Sequence, residues 1–347
     1  MKKIISIVGT RPNIIKSALV SHQLKNYQIE EKVVHTGQHY DYELSKLFID
    51  DLDLKPPDFS LDVGSGSHAF QTGEMMIAIE KILIAQNPSA VLIYGDTNST
   101  LAGALAAAKI YIPLIHVEAG ERRLDKKNPE EINRIICDHI SQINCCATKK
   151  AVEFLKKEGI KKGAFFTGDV MLDLFLKYRK KAKLPQTLPR KKYILLTLHR
   201  EENTSNNQRL TKITKSLGKI PQQIIWPIHP RSQKAVKDFK IHLPKNITTI
   251  NPVSYSQMIA LEANSKCIIT DSGGVQKEAY WLEIPCITLM GTTGWTDTLT
   301  GGWNQLAQDP SRIKSYLNLV PNGRPDIKRF GNGNAAGKIC RLIQKTI

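Results

Sequence analysis

Residues 267–279, Cys-Ile-Ile-Thr-Asp-Ser-Gly-Gly-Val-Gln-Lys-Glu-Ala, join a short β-branched run to a helical stretch, with Ser272, Gly273 and Gly274 at the junction. A junction of this type can hold an anion. Glycines let backbone N–H groups approach a ligand, serine adds a hydroxyl, and the helix start adds unpaired N–H groups and a partial positive charge. Glu278 follows about a turn and a half along the same helix, where a carboxylate can accept hydrogen bonds from a sugar's vicinal hydroxyls. A phosphate followed by a ribose is the outline of a nucleotide. An N-capped helix with packing glycines is the better reading of a lone Ser-Gly-Gly, so the weight falls on what accompanies it.

Comparable chemistry stands at other strand ends. Ile4–Val8 reads as a buried strand running into Gly9-Thr10-Arg11-Pro12-Asn13 and a helix carrying Lys16. This is a second anion pocket, faced by a guanidinium and an ammonium. It is not G-x-G-x-x-G, so the dinucleotide fingerprint is absent. Ala90–Tyr94 ends in Gly95-Asp96-Thr97, and Pro113–Val117 delivers Glu118. Asn128-Pro129-Glu130-Glu131 opens a helix whose expected apolar face is Ile132, Ile135, Ile136 and Ile140. Arg134 can pair with Glu130 or Asp138 at helical spacing, and taken alone both glutamates read as helix-start chemistry. The segment Lys32–His39 is expected to be a strand ending in polar residues, and residues 64–72 a loop before a helix over 71–86. Further on, Tyr193–Leu198 ends in His199-Arg200 and Gln223–Ile228 ends in His229-Pro230-Arg231.

The elements that must position these residues follow one pattern. Short β-branched strands alternate with helices over 347 residues, enough for two domains, and the polar residues cluster just after the strands' carboxyl ends. Ligands bind at that edge of open parallel sheets. The expected fold is therefore α/β, with two Rossmann-like domains facing across a cleft. The basic stretch near residues 163–192, with Pro185 and Pro189, marks the domain boundary.

Bulk composition narrows the function classes. A hydrophobic content of 41% supplies two cores, and no apolar run reaches the roughly eighteen residues of a membrane span, so a cytoplasmic protein is expected. The six cysteines lack C-x-x-C spacing and sit mostly in apolar runs, which favours buried thiols. Net charge is +17, and between Cys146 and Lys192 fourteen Lys and Arg stand against four acids. No recognition-helix, RNP or zinc-finger pattern accompanies that charge, so a solvated lysine face is preferred to a nucleic-acid surface.

Gly9-Thr10-Arg11-Pro12, Gly95-Asp96-Thr97, His116-Val-Glu118-Ala-Gly120, Pro129-Glu130-Glu131-Ile-Asn-Arg134, His199-Arg200 and Asp271-Ser-Gly-Gly-Val-Gln276 with Glu278 together resemble the non-hydrolysing UDP-N-acetylglucosamine 2-epimerase family. Within it, Tyr94–Ala108, Gly274–Tyr280, Gly302-Trp303-Asn304 and Gly331–Ala335 look most like the branch acting on UDP-2,3-diacetamido-2,3-dideoxyglucuronic acid. The resemblance implies a glycosyltransferase-B type fold and a homodimer, with the last helix crossing back to the first domain. The domains are then residues 1–168 plus 331–347, carrying the carboxylates, and 169–330, binding UDP. It implies anti elimination of UDP from a UDP-linked 2-acetamido sugar and re-addition that inverts C2, with no metal or external redox cofactor. Asp96, Glu118 and Glu130 match the family's acid–base carboxylates, and His199 and Arg11 match residues at the pyrophosphate, supported by Lys16. Ser272, Gly273, Gly274 and Glu278 match the phosphate and ribose contacts, and Arg134 and Gln276 belong to the matched substrate-binding motifs. A glycosyltransferase of the same fold is the alternative from another class. Three departures stand out: Asn13 and Glu121 replace a usual glutamate and a usual apolar residue, and Gly294-Trp295-Thr296-Asp297 replaces a Glu-Arg-Pro-Glu loop. For a uronate, Arg122, Arg123, Lys126 and Lys127 are candidate cations.

Overall fold

Runs such as Ile-Ile-Ser-Ile-Val and Ala-Val-Leu-Ile-Tyr have no polar face to offer solvent, so they pair where helices cover both sides of a parallel sheet. In the computed structural model, which describes residues 2–38, 51–184 and 193–347, they form two such sheets. The chain divides into one unit of Met1–Leu176 with Lys328–Ile347 and a second of Lys177–Ile327. The boundaries expected at 168/169 and 330/331 differ from these, which fall at 176/177 and 327/328. Asp173 accepts from the Ala336 N–H at 2.9 Å and Asp169 N–H donates to the Phe330 carbonyl at 2.8 Å, which ties the helix Val170–Tyr178 to the returning tail.

The first unit contains β1 (Lys2–Val8), β2 (Ile29–His35), β3 (Phe59–Ser60), β4 (Ala90–Tyr94), β5 (Leu114–Ala119), β6 (Ile143–Cys146) and β7 (Ala164–Phe166), in the order β3-β2-β1-β4-β5-β6-β7. The second contains β8 (Tyr193–Thr197), β9 (Ile224–Pro227), β10 (Ile247–Ile250), β11 (Ser265–Thr270), β12 (Cys286–Thr288) and β13 (Asn304–Leu306), in the order β10-β9-β8-β11-β12-β13. Every strand pairing among the described residues is parallel. Each order reverses once, between β1 and β4 and between β8 and β11, which places a binding crevice beyond the carboxyl ends of those strands.

Alternation along the strands builds a core on each face. Ile4, Leu92 and Tyr94 pack on one side of the first sheet, and Ile5, Ile7, Val91 and Ile93 on the other. Ile194 and Leu196 oppose Tyr193 and Leu195 in the second. The last helix, Ala335–Thr346, lays Ala336, Ile339, Cys340 and Ile343 into the first unit's core beside the helix Arg11–Asn26. It thus crosses back to the first unit, as the resemblance implies.

Several expectations need correction. The helix expected over 71–86 begins at His68, because Ser67 accepts from the Phe70 N–H and caps it. β3, β6, β7 and β13 escape a reading by β-branched runs because they are only two to four residues long and all but β6 lack a β-branched residue. The helix Pro129–Ile140 does not bury its isoleucine face. Its buried residues are Glu131, Asn133, Cys137 and Asp138, while Ile132 is 46% exposed. His39, Pro185 and Pro189 lie outside the described residues. Lys149, Lys150, Lys156 and Lys157 of the basic stretch are exposed, and no described helix is long and apolar enough to cross a membrane.

Candidate active site

In the first unit the loops after β1, β4 and β5 converge on a run of alternating charges. β5 carries a bulge: Val117 pairs with Cys145 and Ala119 with Cys146, leaving Glu118 as the extra residue. Glu118 has φ +69°, a left-handed conformation that a side chain adopts only where surrounding structure enforces it. A bulge re-aims a side chain, and here it turns the Glu118 carboxylate onto the Lys16 ammonium at 2.5 Å, with both side chains about nine-tenths buried. Gly95, at φ +66°, lies against that ammonium; a Cβ there would stand 2.7 Å from Lys16 Nζ and 3.8 Å from Glu118 Oε1. Any side chain at position 95 would therefore push the ion pair apart.

Asp96 follows Gly95 and is bound by Arg134, which also donates to Glu131 Oε2 at 2.9 Å. Burial works against the Arg134 charge, but Asp96, Glu131 and Glu118 outweigh it and hold the guanidinium firmly protonated. Arg134 thus spans Asp96 and Glu131, not the Glu130 or Asp138 expected from helical spacing. The two glutamates of the Pro-Glu-Glu motif separate in role. Glu131 is buried and accepts from the backbone N–H groups of Arg123 and Leu124 at 2.8–3.0 Å, so it shapes the turn before the helix. Glu130 is half-buried at the helix's first turn beside the Asn128 cap. Arg11 is half-buried at the N-terminus of its helix.

Beneath these loops lies a buried network. Asp138 takes His116 Nδ1 at 2.7 Å, the Gly120 N–H at 3.1 Å and Arg122 Nη1 at 2.6 Å. His116 Nε2 reaches the Gly95 carbonyl at 2.7 Å, so one carboxylate fixes the backbone just before Asp96 and just after Glu118. Arg122, only 2% exposed, also donates to the Glu121 carbonyl at 2.9 Å and to Glu158 at 2.6–2.7 Å, which removes it as a cation for a uronate. Asn133 Nδ2 donates to the Asp96 carbonyl at 2.9 Å. Asn13 explains its own departure from glutamate. Its oxygen accepts from Thr10 and Thr97 while its nitrogen donates to the Tyr94 carbonyl at 2.7 Å, and a carboxylate cannot donate. Glu121 is buried and accepts from the Thr148 hydroxyl at 3.2 Å.

The second unit repeats the device. Asp271 is fully buried at the end of β11 and accepts from the His199 and Arg200 N–H groups, from Asn203 Nδ2 and from His199 Nδ1, all at 2.9–3.1 Å. Burial alone would raise its carboxyl, but His199 and the donors prevail and hold it below the usual carboxylate range. The loop carrying His199 is thereby locked beside the start of the helix Gly273–Trp281, whose N-cap Ser272 makes no side-chain capping bond. The Ser272 hydroxyl therefore does not occupy the first N–H groups of that helix. Glu278 is 3% exposed and accepts from the Tyr255 hydroxyl at 2.7 Å. Gln276 faces inward, where its oxygen holds Thr293 at 2.7 Å and Asn304 at 3.2 Å. The altered loop packs through Trp295. The indole lies so close to Gly273 that a Cβ there would meet Nε1 at 2.9 Å, and the buried Lys277 ammonium sits 3.7 Å from a Trp295 ring centre.

Sequence reading placed His116 and Asn133 within motifs and Asp138 beside Arg134, but gave none of the three a role in this site. The signal was present: Glu131, Arg134 and Asp138 recur at helical spacing, and a polar stripe can be the buried one when its charges are paired.

Two α/β units, each built on a parallel sheet with chemistry at its switch point, define an enzyme of the glycosyltransferase-B fold type. A family model described as UDP-N-acetylglucosamine 2-epimerase matches residues 22–344. A Methanococcus maripaludis protein named UDP-N-acetylglucosamine 2-epimerase homolog is 46% identical over 99% of both chains. The UDP-2,3-diacetamido-2,3-dideoxy-D-glucuronate 2-epimerase of Pseudomonas aeruginosa is 40% identical over the same share. The crystal structure of Methanocaldococcus jannaschii UDP-GlcNAc 2-epimerase in complex with UDP-GlcNAc and UDP superposes with a TM-score of 0.91, at 39% identity over 99% of each chain. The chain belongs to the UDP-N-acetylglucosamine 2-epimerase family.

The buried network makes a stability prediction. Burial opposes the Asp138 charge, but His116 and Arg122 overcome it, so the folded carboxyl titrates below its ordinary 3.8. A depressed acid contributes stability above its unfolded pKa and loses it as pH falls through the folded value. Asp138→Asn is expected to cost about 3–5 kcal/mol at neutral pH, and the gap to the parent should close below about pH 4. Denaturant unfolding at both pH values measures this; an equal gap at both would contradict it.

Proposed function

We propose that this chain interconverts UDP-N-acetylglucosamine and its C2 epimer by eliminating UDP and adding it back. The observation that carries the reading is the pairing of Glu118 with Lys16 and of Asp96 with Arg134 around the β1/β4 switch point. Removing the weakly acidic proton at C2 needs a carboxylate kept ionised and aimed, and an adjacent cation does both. As the C2–H bond breaks, its electron pair forms the C1–C2 double bond and the C1–O bond releases UDP. The leaving diphosphate needs donors that are already in place. Arg11, His199, Ser272, Gly273, Gly274 and the first N–H groups of the following helix are suited to that task, and Glu278 to the ribose. In the return step a carboxylic acid delivers a proton to the opposite face of C2 while UDP adds back to C1. Asp96, Glu118 and Glu130 are the groups assigned to these transfers. Lys16, Arg134 and Gln276 support them indirectly, the first two by setting carboxylate charge and the third by holding the nucleotide helix to its neighbouring loops. A nucleotide-sugar substrate fits a cytoplasmic enzyme.

The enzyme incubated with UDP-GlcNAc alone should yield UDP-ManNAc without an acceptor, resolved by chromatography. Asp96→Asn and Glu118→Gln should each lower kcat by about 10²-fold or more, with UDP affinity within a few-fold of the parent. Turnover within a few-fold of the parent in both variants would overturn the carboxylate assignment. Turnover of UDP-2,3-diacetamidoglucuronate alone would select the uronate branch, and UDP release only with an acceptor would indicate a transferase.

A homodimer is part of the same reading. Phe70, Ile77 and Ile84 lie at seven-residue spacing along the helix His68–Gln86 and are 53%, 53% and 64% exposed. An apolar stripe of this kind suits a second copy of the chain. Light scattering should give a dimeric mass that falls to a monomer in Ile77→Glu/Ile84→Glu; a monomeric parent would refute it.

A further inference from the structure

The helix Tyr255–Ala263 packs beside Gly273–Trp281, and near that contact lies a carboxyl that the reading above does not use. Glu262 is fully buried, and neither of its oxygens accepts a hydrogen bond from a donor among the described residues. After burial, the strongest influence on it is the carboxyl of Glu278, which already accepts from the Tyr255 hydroxyl at 2.7 Å. The other titratable groups facing Glu262 are Tyr193 and Cys286, both pushed upward by burial and so uncharged. No cation is among the groups that act on it.

Two carboxylates facing each other where water is excluded cannot both ionise. One proton must be retained, and the Tyr255 O–H donated to Glu278 marks Glu278 as the ionised member. Glu262 lies within hydrogen-bonding reach of Glu278, and a proton on Glu262 supplies the donor that two carboxylates lack. We propose that Glu262 stays a neutral carboxylic acid and acts as a positioning residue, its proton turned toward Glu278, so that Glu278 is fixed as the single acceptor for the ribose hydroxyls. This rests on the reading that Glu278 meets the ribose. The proposal agrees with the direction in which burial and then Glu278 drive the Glu262 carboxyl, well above its ordinary 4.5.

Titration calorimetry of the full chain with UDP and with 2′-deoxy-UDP, from about pH 6 to about pH 10, tests the proposal. The parent should prefer UDP and lose about tenfold in affinity at the alkaline end, where a second negative charge appears beside Glu278. Glu262→Gln keeps a donor and cannot ionise, so it should match parent affinity within about twofold at pH 7 and lack the alkaline loss. Glu262→Leu should raise KM for the nucleotide sugar about tenfold with kcat within about twofold, and should weaken the preference for UDP over 2′-deoxy-UDP. Thermal unfolding gives an independent readout. A folded Glu262 that keeps its proton loses stability as pH rises from 4.5 toward its raised folded value, so Glu262→Gln should melt above the parent at neutral pH and match it in acid. An alkaline loss that persists in Glu262→Gln, or a Glu262→Leu that matches the parent in KM and ribose preference, overturns the proposal while leaving the nucleotide site standing. A parent that binds UDP and 2′-deoxy-UDP equally removes the ribose reading itself, and the proposal with it.

Discussion

A buried aspartate charge beneath each switch point is the constraint on which the rest of this structure depends. Asp138 and Asp271 are both fully buried, and a carboxylate in that setting is tolerated only when donors surround it. The donors that satisfy Asp138 are His116, the Gly120 N–H and Arg122, and His116 in turn grips the Gly95 carbonyl. Those satisfying Asp271 are the His199 and Arg200 N–H groups and Asn203. Polar loops at a sheet's carboxyl edge would otherwise be free to shift. Meeting these two charges fixes the loops that carry Asp96 and Glu118 in one unit and His199 in the other.

The fixed loops can then hold groups in conformations that they would not choose alone. Glu118 sits on a bulge at positive φ, and its carboxylate meets Lys16 in space that Gly95 leaves open. Strain at one residue is sustained because the network on both sides over-determines the backbone. The same principle governs charge. Alternating Lys16, Glu118, Arg134, Asp96 and Glu131 keep the carboxylates next to cations, a state suited to a base that must remove a carbon-bound proton.

Much of this was legible in the sequence because the rules involved are local. β-branched runs bounded by Gly9, Gly95 or Asp271 predict parallel strands with chemistry at their carboxyl ends, and the two sheets have that form. The N-cap Asn128 with Pro129 predicts the helix start correctly. What local rules cannot supply is which face turns inward when charges are paired by distant residues. Ile132, Ile135 and Ile136 outrank Glu131, Arg134 and Asp138 on any hydropathy pattern, yet the polar stripe is the buried one, because Asp96, His116 and Arg122 arrive from other elements to satisfy it. Glu118 shows the same limit: nothing in His-Val-Glu-Ala-Gly announces a bulge, which follows from how β5 pairs with β6. The short strands β3, β6, β7 and β13 are strands by pairing and not by composition.

The carboxylates of the first unit are proposed to move a proton at C2 of a UDP-linked 2-acetamido sugar. The most direct test is proton NMR of the enzyme with UDP-GlcNAc in D2O. Loss of the C2 proton signal, with deuterium at C2 of a manno product, is the predicted result. Formation of the manno product with the original C2 proton fully retained, or conversion to UDP and free sugar with no exchange at C2, would rule that proton transfer out.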